Sequence, residues 1–197
     1  MVMKNYRSFI GKAIIFVFLF ASYQIFYSCS FWSEISEAAQ TDESFTKTQN
    51  SNKKVFDNGR IKLKWKIDGN ELNIRLETSY SGYIGLGFNT RPSMTGADLI
   101  IAKIDESGKV TVEDHFCKAG KSHKKDIDYG GTDRIKKYSS FRKDGWLTVD
   151  IVLPMTSEDA NDISLKPGEK YYFLVAASNK KDMLSIHTFV TKFSVTL

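Results

Sequence analysis

Apolar residues occupy every second position at Ile61, Leu63, Trp65 and Ile67, and again at Leu72, Ile74 and Leu76. This period turns one face of an extended chain toward a core and the other toward water, whereas a helix would scatter the same side chains around its axis. Between the two runs stand Asp68, Gly69 and Asn70, residues suited to a tight turn, so the segment reads as a β-hairpin. Further strands are predicted at residues 83–88, 98–104, 110–113, 147–153 and 171–177, with turn signals at 105–108 and 166–168. Only residues 157–162 suggest a helical turn. The predicted class is all-β, an antiparallel immunoglobulin-like β-sandwich.

A chain of 197 residues with 42% hydrophobic content accommodates one such domain plus extra sequence. The extra sequence lies at the front. Lys4, Arg7 and Lys12 precede an apolar run that ends at Cys29, and the run is shorter than the roughly 20 residues of a comfortable membrane span. Phe26, Tyr27 and Ser28 before that cysteine resemble a loose bacterial lipobox. Residues 1–29 are therefore expected to be a signal peptide with Cys29 as its lipidation site, or else a conventionally cleaved signal or a retained membrane anchor. Residues 30–54, rich in Ser, Thr, Asn, Gln and charge, read as a flexible linker, and residues 55–197 as the folded domain. The expected location is extracytoplasmic and membrane-anchored. A lipidated Cys29 leaves Cys117 without a disulfide partner.

The formal net charge of +5 is too mild to imply nucleic acid. Basic residues gather between Lys118 and Lys143, as a solvated loop face or as a docking surface for an acidic partner or anionic lipid.

Two features point to a site. In residues 83–88, Ile84, Leu86 and Phe88 alternate with Gly85 and Gly87, so one strand face carries no side chains. Such a face allows tight sheet packing or the approach of a flat ligand. In the last segment His187, Phe189, Phe193, Val195 and Leu197 share one parity, so His187 is expected to face inward if the strand runs unbroken.

The stretches GYIGLGFN, MTGADLIIAKID and GKVTVEDHF together resemble the DOMON domain, the sandwich found at the front of dopamine β-monooxygenase and in the cytochrome part of cellobiose dehydrogenase. The resemblance spans roughly residues 55–197. In the haem-binding branch of that family, a methionine after the glycine-spaced strand and a histidine near the final strand hold a b-type haem. The matching positions are Met94, in PSMTGAD, and His187, in LSIHTF. The resemblance thus implies Met94 and His187 as axial ligands of the haem iron, with Gly85, Gly87 and Phe88 forming the groove and a separate redox protein as partner. Iron ligated in this way carries electrons and has no open position for substrate. No Cys-x-x-Cys-His motif is present, so such a haem b would be held without covalent bonds.

Bland readings stand beside these. Met94 can cap the core, and His187 can be a core histidine with satisfied nitrogens. The family also includes domains proposed to recognise sugars, so a haem-free module could use the same groove for a carbohydrate or another small ligand, leaning on exposed aromatics such as Tyr80, Tyr83 or Trp146. Asp98 is read as structural, accepting hydrogen bonds from loop amides. His115, Cys117 and His123 offer possible ligands for zinc or copper at a spacing that matches no common closed site, with His115 and Cys117 on one strand face. No nucleophile elbow, phosphate loop or triad appears, and a complete enzyme is not expected.

Overall fold

The computed structural model describes residues 54–120, 122–183 and 187–197; the expected signal or anchor segment, Cys29 and all but the end of the linker lie outside them. Eleven strands follow in chain order: β1 (Lys54–Asp57), β2 (Ile61–Asp68), β3 (Glu71–Thr78), β4 (Tyr83–Asn89), β5 (Asp98–Ile104), β6 (Val110–Ala119), β7 (Ser122–Lys125), β8 (Lys137–Lys143), β9 (Trp146–Pro154), β10 (Lys170–Ser178) and β11 (Phe189–Thr196). One sheet has the order β1-β2-β3-β9-β8 and the other β11-β10-β4-β5-β6-β7. Neighbouring strands are antiparallel throughout. The protein is an all-β, two-sheet antiparallel sandwich.

The alternation that opens the sequence becomes the hydrophobic interior. Leu63 lies opposite Leu76 and Trp65 opposite Ile74 across the β2–β3 pair, and all four are buried. Ile84, Leu86 and Phe88 from β4 reach the same interior from the other sheet. Phe173 of β10 joins the layers, its ring 5.1 Å from Trp65 and 5.2 Å from Phe88. Each such side chain, fully buried, contributes about 1.5–3 kcal/mol relative to exposure. The β2–β3 turn closes through Gly69 at φ 58°, a left-handed conformation that glycine adopts without penalty.

The elements depart from expectation where the core does not dictate them. No helix forms at 157–162. Instead the Ser157 hydroxyl accepts from the Asp159 amide at 3.1 Å, and the Asp159 carboxylate accepts from the Asn161 amide at 2.9 Å. Side chains that capture amides two residues along favour turns over helix. The one short helical turn among the described residues is a 3-10 turn at Asp126–Tyr129. Strand β8, unforeseen, is exposed at every position, so it has no burial pattern to display. Strand β6 runs on to Ala119 and is met by the equally unforeseen β7 after a bulge between Phe116 and Ala119.

At one end of the interior, Asp98 of β5 and Asp114 of β6 are buried together with Arg134. The Arg134 guanidinium donates from Nη1 to Asp98 and from Nη2 to the Pro154 carbonyl at 2.8 Å, while its amide donates to Asp114 at 2.9 Å. Asp98 also accepts from the Ile163 amide at 3.0 Å, so the loop-amide role read from sequence is accompanied by an ion pair that was not anticipated. Asp162 brings a third carboxylate within 4.8 Å of the other two.

Candidate functional site

Strand β4 is two-faced. Its even positions fill the sandwich, and its odd positions, Tyr83, Gly85 and Gly87, open onto the outer side of the six-stranded sheet. A second, small apolar cluster gathers there: Tyr83, Ala97, Leu99, Ile101 and Cys117, with Met94 and Met183 packed against it. Above it lies a cavity of about 570 Å³, within the range of small-molecule and cofactor sites. Gly85, Gly87, Met94, His123 and His187 all line it.

Each glycine has its own reason for lacking a side chain. A Cβ on Gly87 would stand 2.6 Å from Leu99 Cδ2 and 3.3 Å from Leu174 Cβ, so close packing already fills that point. A Cβ on Gly85 would make only ordinary contact, 3.6 Å from Ile101 Cγ1, and would project into the cavity floor. Phe88 corrects the expected groove: it is fully buried in the core on the opposite face, because it shares the parity of Ile84 and Leu86.

Met94 is presented by the loop between β4 and β5, and that loop is tied from both sides. Buried Asn89 donates from Nδ2 to the carbonyls of Ser93 at 2.7 Å and Thr95 at 3.1 Å, and its Oδ1 accepts from the Arg91 amide at 3.2 Å. The Ala97 amide donates to the Met94 carbonyl at 3.0 Å, closing a tight turn with Gly96 at φ 79°. The loop is also fastened to the β6–β7 hairpin, by Gly96 N–H to the Cys117 carbonyl at 2.7 Å and Thr95 Oγ1 to the Gly120 carbonyl at 3.1 Å.

His187 precedes β11 rather than belonging to it, since that strand starts at Phe189. The condition for an inward-facing histidine therefore fails. Phe189 and Phe193 pack on the core as their parity requires, but His187 turns to the outer cavity, where Nδ1 lies 2.5 Å from the Tyr83 hydroxyl. The two rings meet edge to face at 5.8 Å. With Nδ1 engaged by the phenol, Nε2 is the nitrogen left for a ligand, the arrangement typical of a metal-binding imidazole. Burial pushes the His187 pKa down, keeping the ring in its neutral, coordinating form at neutral pH, and burial pushes the Tyr83 phenol up.

The aromatics proposed for sugar stacking are otherwise placed. Tyr80 and Tyr83 are buried rather than exposed, the former under the Arg60 guanidinium at 4.0 Å; Trp146 is half-buried beside Lys62.

The His115, Cys117 and His123 group is brought partly together. His115 and Cys117 share a strand face, as alternation implies, and both are buried. His123 of β7 faces His115 with the two Nδ1 atoms 3.1 Å apart, and His115 Nε2 lies 3.2 Å from the Glu113 carboxylate. Burial, then the neighbouring His115 and His187, push His123 down to about 4. Burial alone would raise Glu113, yet hydrogen bonds from Lys103, His115 and Lys125 outweigh it and hold that carboxyl at about 2. Sequence reasoning considered His123 only beside His115 and Cys117, as a possible zinc or copper ligand, and missed Asn89 and Met183 altogether. Only the return of the chain as β7, paired with β6, brings His123 beside His115.

A family model for the DOMON domain matches residues 57–178. Two curated relatives share a 68-residue stretch, 34% of this chain and 11% of each relative: DBH-like monooxygenase protein 1 from Mus musculus, at 34% identity, and from Homo sapiens, at 31%. The match thus spans about a ninth of those proteins. Among solved structures, the cytochrome domain of Myriococcum thermophilum cellobiose dehydrogenase aligns at 12% identity and a TM-score of 0.48, covering 76% of this chain and 90% of that domain.

Proposed function

Because this chain belongs to the DOMON domain family, we propose that its outer cavity binds a b-type haem through Met94 and His187 and relays single electrons to a separate redox partner. One observation carries the reading: residues far apart in the chain, a thioether and an imidazole, line the same cavity across a floor of glycine. The residues fit the group. The donor set suits six-coordinate iron, the floor admits a flat ring, and Leu99, Ile101, Met94 and Met183 make the surroundings apolar.

The chemistry a bound haem would supply is reversible one-electron transfer, and the remaining work falls to the protein. Tyr83 fixes the ring of His187. Asn89 and Gly96 hold the Met94 loop in one shape. The apolar cluster would shield the group from water, and the thioether would favour its reduced state. In the same reading Cys29 carries the lipid and residues 30–54 form the tether, so that the domain searches a volume near an extracytoplasmic membrane face.

The test is a hemin titration of the full chain, purified in mild detergent, followed by dithionite reduction. Saturable uptake with sharp α and β bands supports the proposal, particularly if lost in Met94→Ala/His187→Ala. A broad spectrum that never saturates overturns it and leaves the cavity to a carbohydrate or another small ligand.

A further inference from the structure

The haem reading uses two cavity donors and leaves a third idle. His123 is 7% exposed, and the hydrogen bonds behind it determine which of its nitrogens holds a lone pair. A carboxylate only accepts, so the Glu113 oxygen requires a hydrogen on His115 Nε2, 3.2 Å away. Neutral His115 then has its lone pair on Nδ1. Facing that lone pair at 3.1 Å, His123 must carry its own hydrogen on Nδ1, which puts its lone pair on Nε2. The side chain lines the cavity. Glu113, acting through His115, thus orients His123, as an outer hydrogen-bond acceptor orients a metal-ligating imidazole.

His123 also stands on a particular rim. It belongs to the β6–β7 hairpin, to which the Met94 loop is fastened by the Gly96 to Cys117 and Thr95 to Gly120 hydrogen bonds. His187 approaches from elsewhere, held by Tyr83 at the start of β4. Met94 and His123 therefore share one rim, with His187 held separately.

We propose that His123 is an alternative donor to a haem bound in this cavity, one that would take the place of Met94 beside His187. The inference rests on the haem proposal above. Such a haem would be held by a thioether and an imidazole or by two imidazoles, and the two forms would differ in potential because a thioether favours the reduced state. Glu113 and His115 are positioning residues in this scheme.

The experiment compares hemin-loaded full-length wild type, Met94→Ala, His123→Ala and Met94→Ala/His123→Ala by absorption, spin state and redox titration, with circular dichroism to confirm folding. Met94→Ala is expected to stay six-coordinate and low-spin, with a bis-imidazole spectrum and a midpoint potential below wild type. His123→Ala retains the thioether-ligated spectrum, and the double variant turns high-spin. Adding His115→Leu to Met94→Ala shifts the spectrum toward high spin, while His115→Leu alone leaves wild-type ligation unchanged. Met94→Ala that is high-spin at once, or low-spin ligation that survives in the double variant, overturns the proposal while leaving haem binding intact. A wild type that takes up no hemin sinks the haem reading itself.

Discussion

A single hydroxyl decides how His187 is presented. The Tyr83–His187 contact joins residues 104 positions apart, and nothing near either residue in the chain announces it. Tyr83→Phe keeps the ring packing and removes the hydrogen bond, so hemin affinity should fall by about 10-fold or more with little change in folding stability; loss of an outer-shell partner to a metal ligand commonly costs 10–100-fold. Titration of hemin into both proteins, alongside chemical denaturation, checks this, and unchanged affinity would mean that His187 is not a ligand. The glycines give a second contrast. Gly87→Ala places a methyl 2.6 Å from Leu99 Cδ2 and drives that side chain toward the cavity, whereas Gly85→Ala meets nothing closer than 3.6 Å. Hemin uptake should weaken more for Gly87→Ala, and equal effects at both positions would remove the glycine floor from the account. At this scale Met94 and His187 were legible only through family resemblance. Of the residues that hold them, Asn89 acts within its own loop, on Arg91, Ser93 and Thr95, whereas Tyr83 reaches His187 from another strand, a contact that no local pattern encodes.

Strands were legible in proportion to how fully one face is buried. β2, β3, β5 and β10 show alternation or sustained apolar character because the sandwich interior selects their side chains. β8 lies at a sheet edge with all seven residues exposed, including Tyr138 and Phe141 at 42% each, so backbone pairing with β9 alone defines it. The end of β11 was misjudged for a related reason: parity predicts a face only while the chain stays extended, and the strand stops short of His187. The join between β4 and β10 shows what backbone proximity demands. Gly82 donates to the Ser178 carbonyl at 3.0 Å, its own carbonyl accepts from the Ile104 amide at 2.8 Å, and an added Cβ would collide with the Lys180 carbonyl. Because the obstacle is backbone, Gly82→Ala cannot be relieved by a rotamer change and should destabilise by about 1–3 kcal/mol. Urea unfolding measures this, and a midpoint equal to wild type would show that the turn relaxes freely.

For the whole molecule, the buried charges set how stability responds to pH. Burial pushes Asp98 up to about 7, with Arg134 pulling back, and pushes Asp114 up to about 8. Unfolded, both groups titrate near 3.8, so between that pH and their folded values the native state holds more protons than the unfolded one. Stability then falls as pH rises. The histidines act oppositely: His123, at about 4 against 6.5 unfolded, adds stability as pH rises between those values, and His115 and the half-buried His187 are shifted in the same direction. The two trends oppose each other up to about 6.5. As pH climbs past it the unfolded histidines also become neutral and the carboxyls dominate, so stability should decline from pH 6.5 to 8. Asp114→Asn, which leaves a neutral side chain where the folded protein prefers a neutral acid, should flatten that slope. Arg134→Leu, which strips the counter-charge from a buried carboxylate, should destabilise by about 3–5 kcal/mol near neutral pH, and less at pH 5, where Asp98 is protonated without its partner. Urea unfolding of the three proteins at intervals from pH 5 to 8 separates these effects. A wild-type stability that rises over the upper range would mean that the carboxyls are ionised in the fold, their charge balanced by more than the single guanidinium of Arg134.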